Sequence, residues 1–457
     1  MNSHNHSAQA AHSPHSALKA AAFRAIDRAR QEIIGLAQAV FSSPEVGFEE
    51  EKTSALVAAK LESLGLPVHR RLAVTGVRAV RRFAAASPTV ALIGELDSVR
   101  VPGHPGAHPE TGAAHACGHH AQLGILYGAA VGLTVAELSG PLAGSVVFIA
   151  TPAEEFIDVG RRLARRESGE IEFLSGKQEM IRLGTFDDVD MAMLVHTSSE
   201  EPLGRFIVGG TSNGHIVQSV RYTGRAAHAG GAPHDGVNAL QAMSVAMTAI
   251  NTQRETFEEK DVTRVHGIVT RGGTSVNSVP AEATYEGRVR GRDMAAVDKV
   301  AARIERCFKA GALTTGCDLE LTTVPGYMPL RNNARLDDVF ATNARGVAGP
   351  NVVVTQPYDE TRGGSTDMGD LSQLMPVIHP YVTAAKGSAH GADYMVADYD
   401  MAVVQPAKVL AATVIDLLAD GAKVATEVKQ SAAPALTRSE YLRTQSERNR
   451  VVRYKGQ

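Results

Sequence analysis

Three short apolar runs, residues 89–92, 145–150 and 191–195, end on residues that carry chemistry, and helix-compatible stretches separate them. Runs of this length bounded by turn signals read as buried strands, and strands alternating with helices build a largely parallel sheet. In such sheets ligands bind just beyond the carboxyl ends of the strands. Here those ends carry Glu95 and Asp97, then Glu154 and Glu155, then His196. Carboxylates and an imidazole therefore converge on one edge. A fourth run, 377–383, has the same strand character.

Helical spacing of Phe23, Ile26, Ile33 and Leu36 predicts a helix over 17–39, and a second is expected over 50–64, ended by Gly65 and Pro67. The texture changes near Gly209. HIVQSVRYTG and ATYEGRVRGRD alternate like half-exposed strands around the amphipathic GVNALQAMSVAMTAINTQ. The order strand, helix, strand, strand, helix, strand predicts an α+β domain over 210–325, inserted into an α/β domain made of 17–209 and 326–425. The α/β texture resumes through GGSTDMGDLSQ and a last helix over 403–418. Residues 1–16 are expected to be a disordered leader whose histidines are too irregularly spaced for a metal-binding tail. Residues 426–457 are expected to be a polar, Arg-rich tail or solvated helix. A length of 457 residues agrees with two or more domains at about 150 residues each.

Composition excludes several functions. Lys and Arg number 46 against 49 Asp and Glu, a net charge of −3, so no basic field points to nucleic acid or an anionic membrane. The GGTS and GGST runs lack the lysine and spacing of a phosphate loop. No apolar run approaches the length of a transmembrane helix, and no membrane partner is expected. Three cysteines, Cys117, Cys307 and Cys317, are too few for a disulfide scaffold and suit a reducing cytoplasm.

The segment HACGHHAQLG holds Cys117 and His119 around Gly118, whose missing side chain lets the backbone turn tightly enough for two ligands to converge. A buried cysteine beside histidines is more often structural. TPAEE changes that balance. Adjacent carboxylates on an extended strand face opposite ways, but at a strand-to-loop corner one can bind a metal while the other acts as general base. Taken singly, Glu154 and Glu155 fit a solvated loop, His196 a core histidine and His390 a surface histidine. Jointly Cys117, His119, Glu155, His196 and His390 supply a thiolate, three imidazoles and a carboxylate. That set suits one or two divalent ions, Zn²⁺ or Mn²⁺ with Co²⁺ as a third candidate, bridged by the cysteine sulfur.

HACGH, PAEE, AAHAGGAPHDGVNAL, GGTSVNSVP and GSTDMG, in this order between SSPEVGFEE and HGADY, make the chain resemble the aminoacylase and carboxypeptidase group of co-catalytic metallopeptidases. The resemblance is nearest the branch of aminobenzoyl-glutamate hydrolase, indole-3-acetyl-amino-acid hydrolases and bacterial amidohydrolases. It implies a zinc-peptidase α/β domain interrupted by an α+β dimerisation or lid domain. It further implies Cys117, His119, Glu155, His196 and His390 as metal ligands, Glu154 as general base and Asp97 as the acid orienting a ligand imidazole. His228 matches a histidine that reaches the neighbouring subunit's site, so a homodimer through the lid is expected. Asn277 and Arg290 match substrate-contacting positions, the arginine suiting a carboxylate. Two features depart from the pattern. His120 stands where Asp or Asn is common, and the stretch after TPAEE is longer, which is expected to reshape a pocket wall.

The expected reaction is metal-assisted hydrolysis of the C–N bond of a small N-acyl or N-aroyl amino acid or dipeptide, a carboxylate-bearing small molecule. The alternatives are an aminohydrolase releasing ammonia from an activated aromatic amine such as 5-nitroanthranilate, and a catalytically silent metal- or peptide-binding protein.

Overall fold

The structure is a computed structural model and describes residues 15–84, 88–361 and 363–456. The expected leader lies outside the described residues except for His15 and Ser16, and Ser16 already opens a helix, Ser16–Arg28. The single helix expected over 17–39 is two, Ser16–Arg28 and Arg30–Phe41, broken at Ala29.

The expected buried strands lie side by side. A six-stranded sheet runs in the order Val68–Leu72, Gly76–Arg82, Ser145–Thr151, Thr89–Glu95, Met191–Met193, Val377–Ile378. Its last four strands are mutually parallel, and a hairpin closes the other side. Every residue of Thr89–Glu95 and Ser145–Thr151 is buried, because helices cover the sheet. Helix His119–Leu133 is buried at every position but Val131, and packs against Arg30–Phe41 and Gln405–Leu418. Asp400–Leu418 corrects one expectation, being long and apolar enough to span a membrane, with a mean hydropathy of 1.6. Some 78% of that window is buried inside the protein, so its apolar surface is spent on the core.

The segment 191–198 does not stay in one sheet. Met191–Met193 belongs to the six-stranded sheet, whereas His196–Ser198 pairs with Tyr381–Thr383 in a smaller one. The run over 377–383 splits the same way. His196 thus sits where the chain steps between two sheets.

The inserted domain shows the expected order of elements. An antiparallel sheet, Arg264–Arg271, Glu282–Gly291, Gly214–Thr223, Asp318–Pro325, carries helices Ala239–Gln253 and Met294–Thr315 on one face. Glu282–Gly291 alternates strictly, with Ala283, Tyr285 and Val289 in the helix-covered core and Glu286, Arg288 and Arg290 on the other side. Cys307 and Cys317 are buried in that core.

Residues 426–457 are no tail. Helix Arg438–Glu447 starts on a capping box at Thr437 and Glu440, and Tyr441 and Gln445, one turn apart, are buried. Arg450–Tyr454 then pairs with Asp318–Pro325 as a fifth strand of the inserted sheet. The arginine count hid this, because Arg450 and Arg453 reach out to Glu305 and Glu320 while Val452 and Tyr454 pack against the domain's core.

Candidate metal centre

Three local devices bring the ligand-type residues together. Gly118, with φ 95°, turns the chain into helix His119–Leu133, and a Cβ there would lie 2.1 Å from Thr197 Oγ1. Ala153 holds φ 52°, a left-handed conformation rare for a residue with a side chain, and makes the corner that separates the directions of Glu154 and Glu155. Glu50 accepts from the Ala153 N–H at 2.8 Å, and Arg162 donates to the carbonyls of Leu174 and Glu155 behind the same corner. His196 stands at the step between sheets.

The result is two ligand triads with one shared atom. Cys117, His119 and His196 present atoms all within 4.8 Å of one another, and so do Cys117, Glu155 and His390. Cys117 Sγ lies 3.5 Å from His196 Nε2, and Glu155 Oε1 lies 3.0 Å from His390 Nε2. The imidazoles are oriented for ligation. His119 Nδ1 lies 2.9 Å from the Asp97 carbonyl oxygen and 3.2 Å from Asp97 Oδ1, acceptors only, so Nδ1 carries a proton and Nε2 is the ring atom turned to the cluster. His196 Nδ1 is held likewise, 2.7 Å from the Thr197 carbonyl oxygen. Asp97 also accepts from the Glu155 N–H at 2.8 Å, so one buried carboxylate braces two of the candidate ligands.

The donor set fits divalent ions. His119 Nε2 and Glu155 Oε1 are buried and make no well-aligned hydrogen bond. Glu95 Oε2 lies 3.1 Å from the first and His390 Nε2 3.0 Å from the second, and both are donor atoms that a cation in the cluster would satisfy. Protonation tendencies report the same negative cluster. Burial opposes the Cys117 thiolate and Glu155 repels it, yet the His119 and His196 imidazoles bring the thiol down to about 6. Burial likewise pushes Glu155 up, and His390 overrides it and holds the carboxyl far below the usual range. Glu155 and Cys117 raise His390 to about 11. Glu154 goes the other way, held well above the usual carboxyl range by burial and by Glu95, Glu155 and Asp367.

Beside the triads opens a cavity of about 560 Å³, lined among others by Glu154, His379, Tyr381, Arg288 and Arg290. Arg290 bonds Ser365 Oγ at 2.7 Å across the cleft, and Arg288 donates to the Phe156 carbonyl. A second cleft of about 600 Å³ lies beyond Phe156 and Arg288 and holds none of the ligand triads.

Five ligand candidates, Glu154 and Asp97 therefore share one site, with Arg290 on its far wall. His228 and Asn277 are not on that wall. Both are exposed, and the Ala229 N–H donates to the Asn277 carbonyl at 2.9 Å, so they travel together on the inserted domain. The two departures have structural outcomes. His120 points away from the cavity, packed on Phe41 and His115 with Nε2 3.3 Å from the Tyr399 hydroxyl. The long stretch after TPAEE contributes no residue beyond Phe156 to the cavity lining. It backs the corner through Arg162 and Lys177, and its first residues, 157–161, line the second cleft. Sequence reading noted Glu95 as a strand-end acid without a role, gave none to Glu50 in SSPEVGFEE or Asp367 in GSTDMG, and missed Arg162, Lys177 and His379, single polar residues outside those motifs. A lysine flanked by apolar residues in FLSGKQEMI was the one available signal.

The chain is similar to several known proteins. Residues 210–315 match the family described as a peptidase dimerisation domain. The mouse Xaa-Arg dipeptidase is 28% identical over 427 residues, spanning 88% of this chain and 89% of that protein. One of the two chains of the Escherichia coli p-aminobenzoyl-glutamate hydrolase is 31% identical over 322 residues, 67% of this chain and 61% of the relative. The fold matches that of the Bacillus subtilis YXEP protein, a dinuclear metal-binding peptidase of the M20 family, with a TM-score of 0.62 at 19% identity over 86% of this chain and 99% of the other.

Proposed function

Because the chain belongs to the M20 peptidase family, we propose that it is a metal-dependent hydrolase of the amide bond in small N-acyl or N-aroyl amino acids or dipeptides. The observation that carries this reading is the pair of ligand triads sharing Cys117 with Glu154 beside them. Cys117, His119 and His196 would hold one divalent ion, and Cys117, Glu155 and His390 a second. Mn²⁺ and Zn²⁺ are the proposed ions, with Co²⁺ a substitute. Such ions supply Lewis acidity that polarises a carbonyl and makes water acidic near neutral pH.

The chain's own residues do the rest. Glu154, whose surroundings raise its proton affinity, acts in its ionised form, taking the proton of the attacking water and returning it to the departing amine. Asp97 keeps His119 and the Glu155 backbone in register. Arg290, on the wall facing the triads, suits a substrate carboxylate. A cavity of about 560 Å³ matches a ligand of dipeptide size. The names of the mouse and bacterial relatives support this substrate class.

The match to a dimerisation domain supports a homodimer in which His228 and Asn277 enter the partner's pocket and steady the oxyanion of the substrate. A thiol as bridging ligand suits the cytoplasm, our reading for the compartment. Glu154→Gln tests the mechanism. It should bind the same number of ions as the wild type and lose at least about 10²-fold in kcat, whereas wild-type turnover would remove Glu154 from the proton-transfer role.

A further inference from the structure

Lys177 has no exposed surface, and a buried ammonium costs several kcal/mol unless every proton is well placed. Its Nζ donates to Glu95 Oε1 at 2.6 Å and to Asp367 Oδ1 at 2.5 Å. The other oxygens of both carboxylates are also held. Gln122 donates to Glu95 Oε2 at 2.8 Å, and Ser175 Oγ donates to Asp367 Oδ2 at 2.6 Å. The chain goes to some length to bring the lysine here. Helix Gly176–Arg182 abuts the end of the strand that carries the two glutamates so closely that a Cβ on Gly176 would lie 1.7 Å from the Pro152 carbonyl oxygen.

The reason lies on the other side of Glu95. Its Oε2 is 3.1 Å from His119 Nε2, the ring atom turned to the cluster. Glu95, His119 and Glu154 form a third group whose ligand atoms all lie within 4.8 Å. His119 therefore belongs to two competing sets, one with the thiolate and one with carboxylates alone. A free Glu95 carboxylate would draw a divalent ion towards the second set, and Glu154 with it. The ammonium of Lys177 already occupies that carboxylate.

We propose that Lys177 is a positioning residue of the metal centre, holding Glu95 as the partner of an ammonium and not of an ion, so that His119 serves the set that contains Cys117. The proposal rests on the reading of the site as a metal centre. Lys177 touches no reacting atom, and it acts through Glu95.

Full-length protein titrated with Co²⁺ tests it, with bound metal measured by equilibrium dialysis and the thiolate-to-cobalt charge-transfer absorption read alongside. Lys177→Met should weaken one of the two ion positions about 10- to 100-fold, the usual scale for a residue behind a ligand, and lower the charge-transfer intensity per bound ion. Glu95→Gln added to Lys177→Met should restore both, because the carboxylate beside His119 Nε2 is then gone. A purely structural lysine would give no such rescue. If Lys177→Met does not fold, Glu95→Gln and the double variant still decide the matter. They should bind cobalt identically, and a difference between them would overturn the proposal. Unchanged affinity and spectrum in a folded Lys177→Met would overturn it too while leaving the hydrolase reading intact. A wild-type protein that bound no cobalt would remove both.

Discussion

Gly118 shows how narrow the tolerances are at a single residue. It stands at φ 95° between Cys117 and His119, and any side chain would enter the hydrogen bond of 2.7 Å between the hydroxyls of Thr197 and Tyr394. Gly118→Ala should cost roughly 1–3 kcal/mol of stability and drop bound metal below that of the wild type, measured by denaturant unfolding and metal analysis. A stable variant with full metal content would show that the turn does not set the ligands. Glu50 gives a pH-dependent counterpart. Burial and the neighbouring Asp97 raise its carboxyl to about 8 from an ordinary 4.5. Between those values the native protein keeps a proton that the unfolded chain has released, so this group's contribution to stability falls as pH rises through the window. Glu50→Gln, which keeps an acceptor for the Ala153 N–H, should therefore be near neutral at pH 4.5 and stabilise by roughly 1–3 kcal/mol at pH 7. An equal shift in Tm at both pH values would contradict this origin.

At the scale of elements, the C-terminal segment is the clearest discrepancy between sequence and structure. Helix Arg438–Glu447 docks on the α/β domain, where Tyr441 OH donates to Asp370 Oδ1 at 2.8 Å, and the following strand adds to the inserted sheet. A chain ending after Glu447 should leave Asp318–Pro325 as an open edge, which loses amide protection and invites association. Hydrogen exchange should rise at those backbone amides of Asp318–Pro325 that bond Arg450–Tyr454, and unchanged protection would mean that the fifth strand contributes little. The apolar runs were legible as strands because burial on both faces leaves an uninterrupted hydrophobic signature, as in Ser145–Thr151. The terminal strand was not, because Arg450 and Arg453 dominate a five-residue segment with one packed face. The step between sheets at His196 was equally hidden, since pairing partners are not written in a local pattern. The ligands were legible as residue types in motifs. Lys177 was not, nor was its pairing with Asp367 of GSTDMG, because the two are 190 positions apart in the chain.

For the whole molecule, the proposed homodimer would bring His228 and Asn277, which lie outside their own chain's cavity, to the partner's site. Glu154→Gln and His228→Ala protomers should each be nearly inactive alone. Mixed in equal amounts and allowed to exchange, half the dimers are hybrids, and each hybrid carries one site with an intact Glu154 and an intact partner histidine. About a quarter of wild-type activity should return on two-fold symmetry alone. No recovery, with exchange verified by mass, would place His228 outside the partner's site.

The central claim is that this centre hydrolyses an amide bond. It is met most directly by product analysis of the Mn²⁺- and Zn²⁺-loaded protein on a panel of N-acyl amino acids, N-aroyl amino acids, dipeptides and aromatic amines. Free amino acid should appear in equal amount with the released acid from at least one amide, and chelation or Glu154→Gln should abolish it. Ammonia from an aromatic amine, with no amino acid released from any amide in the panel, would contradict the account.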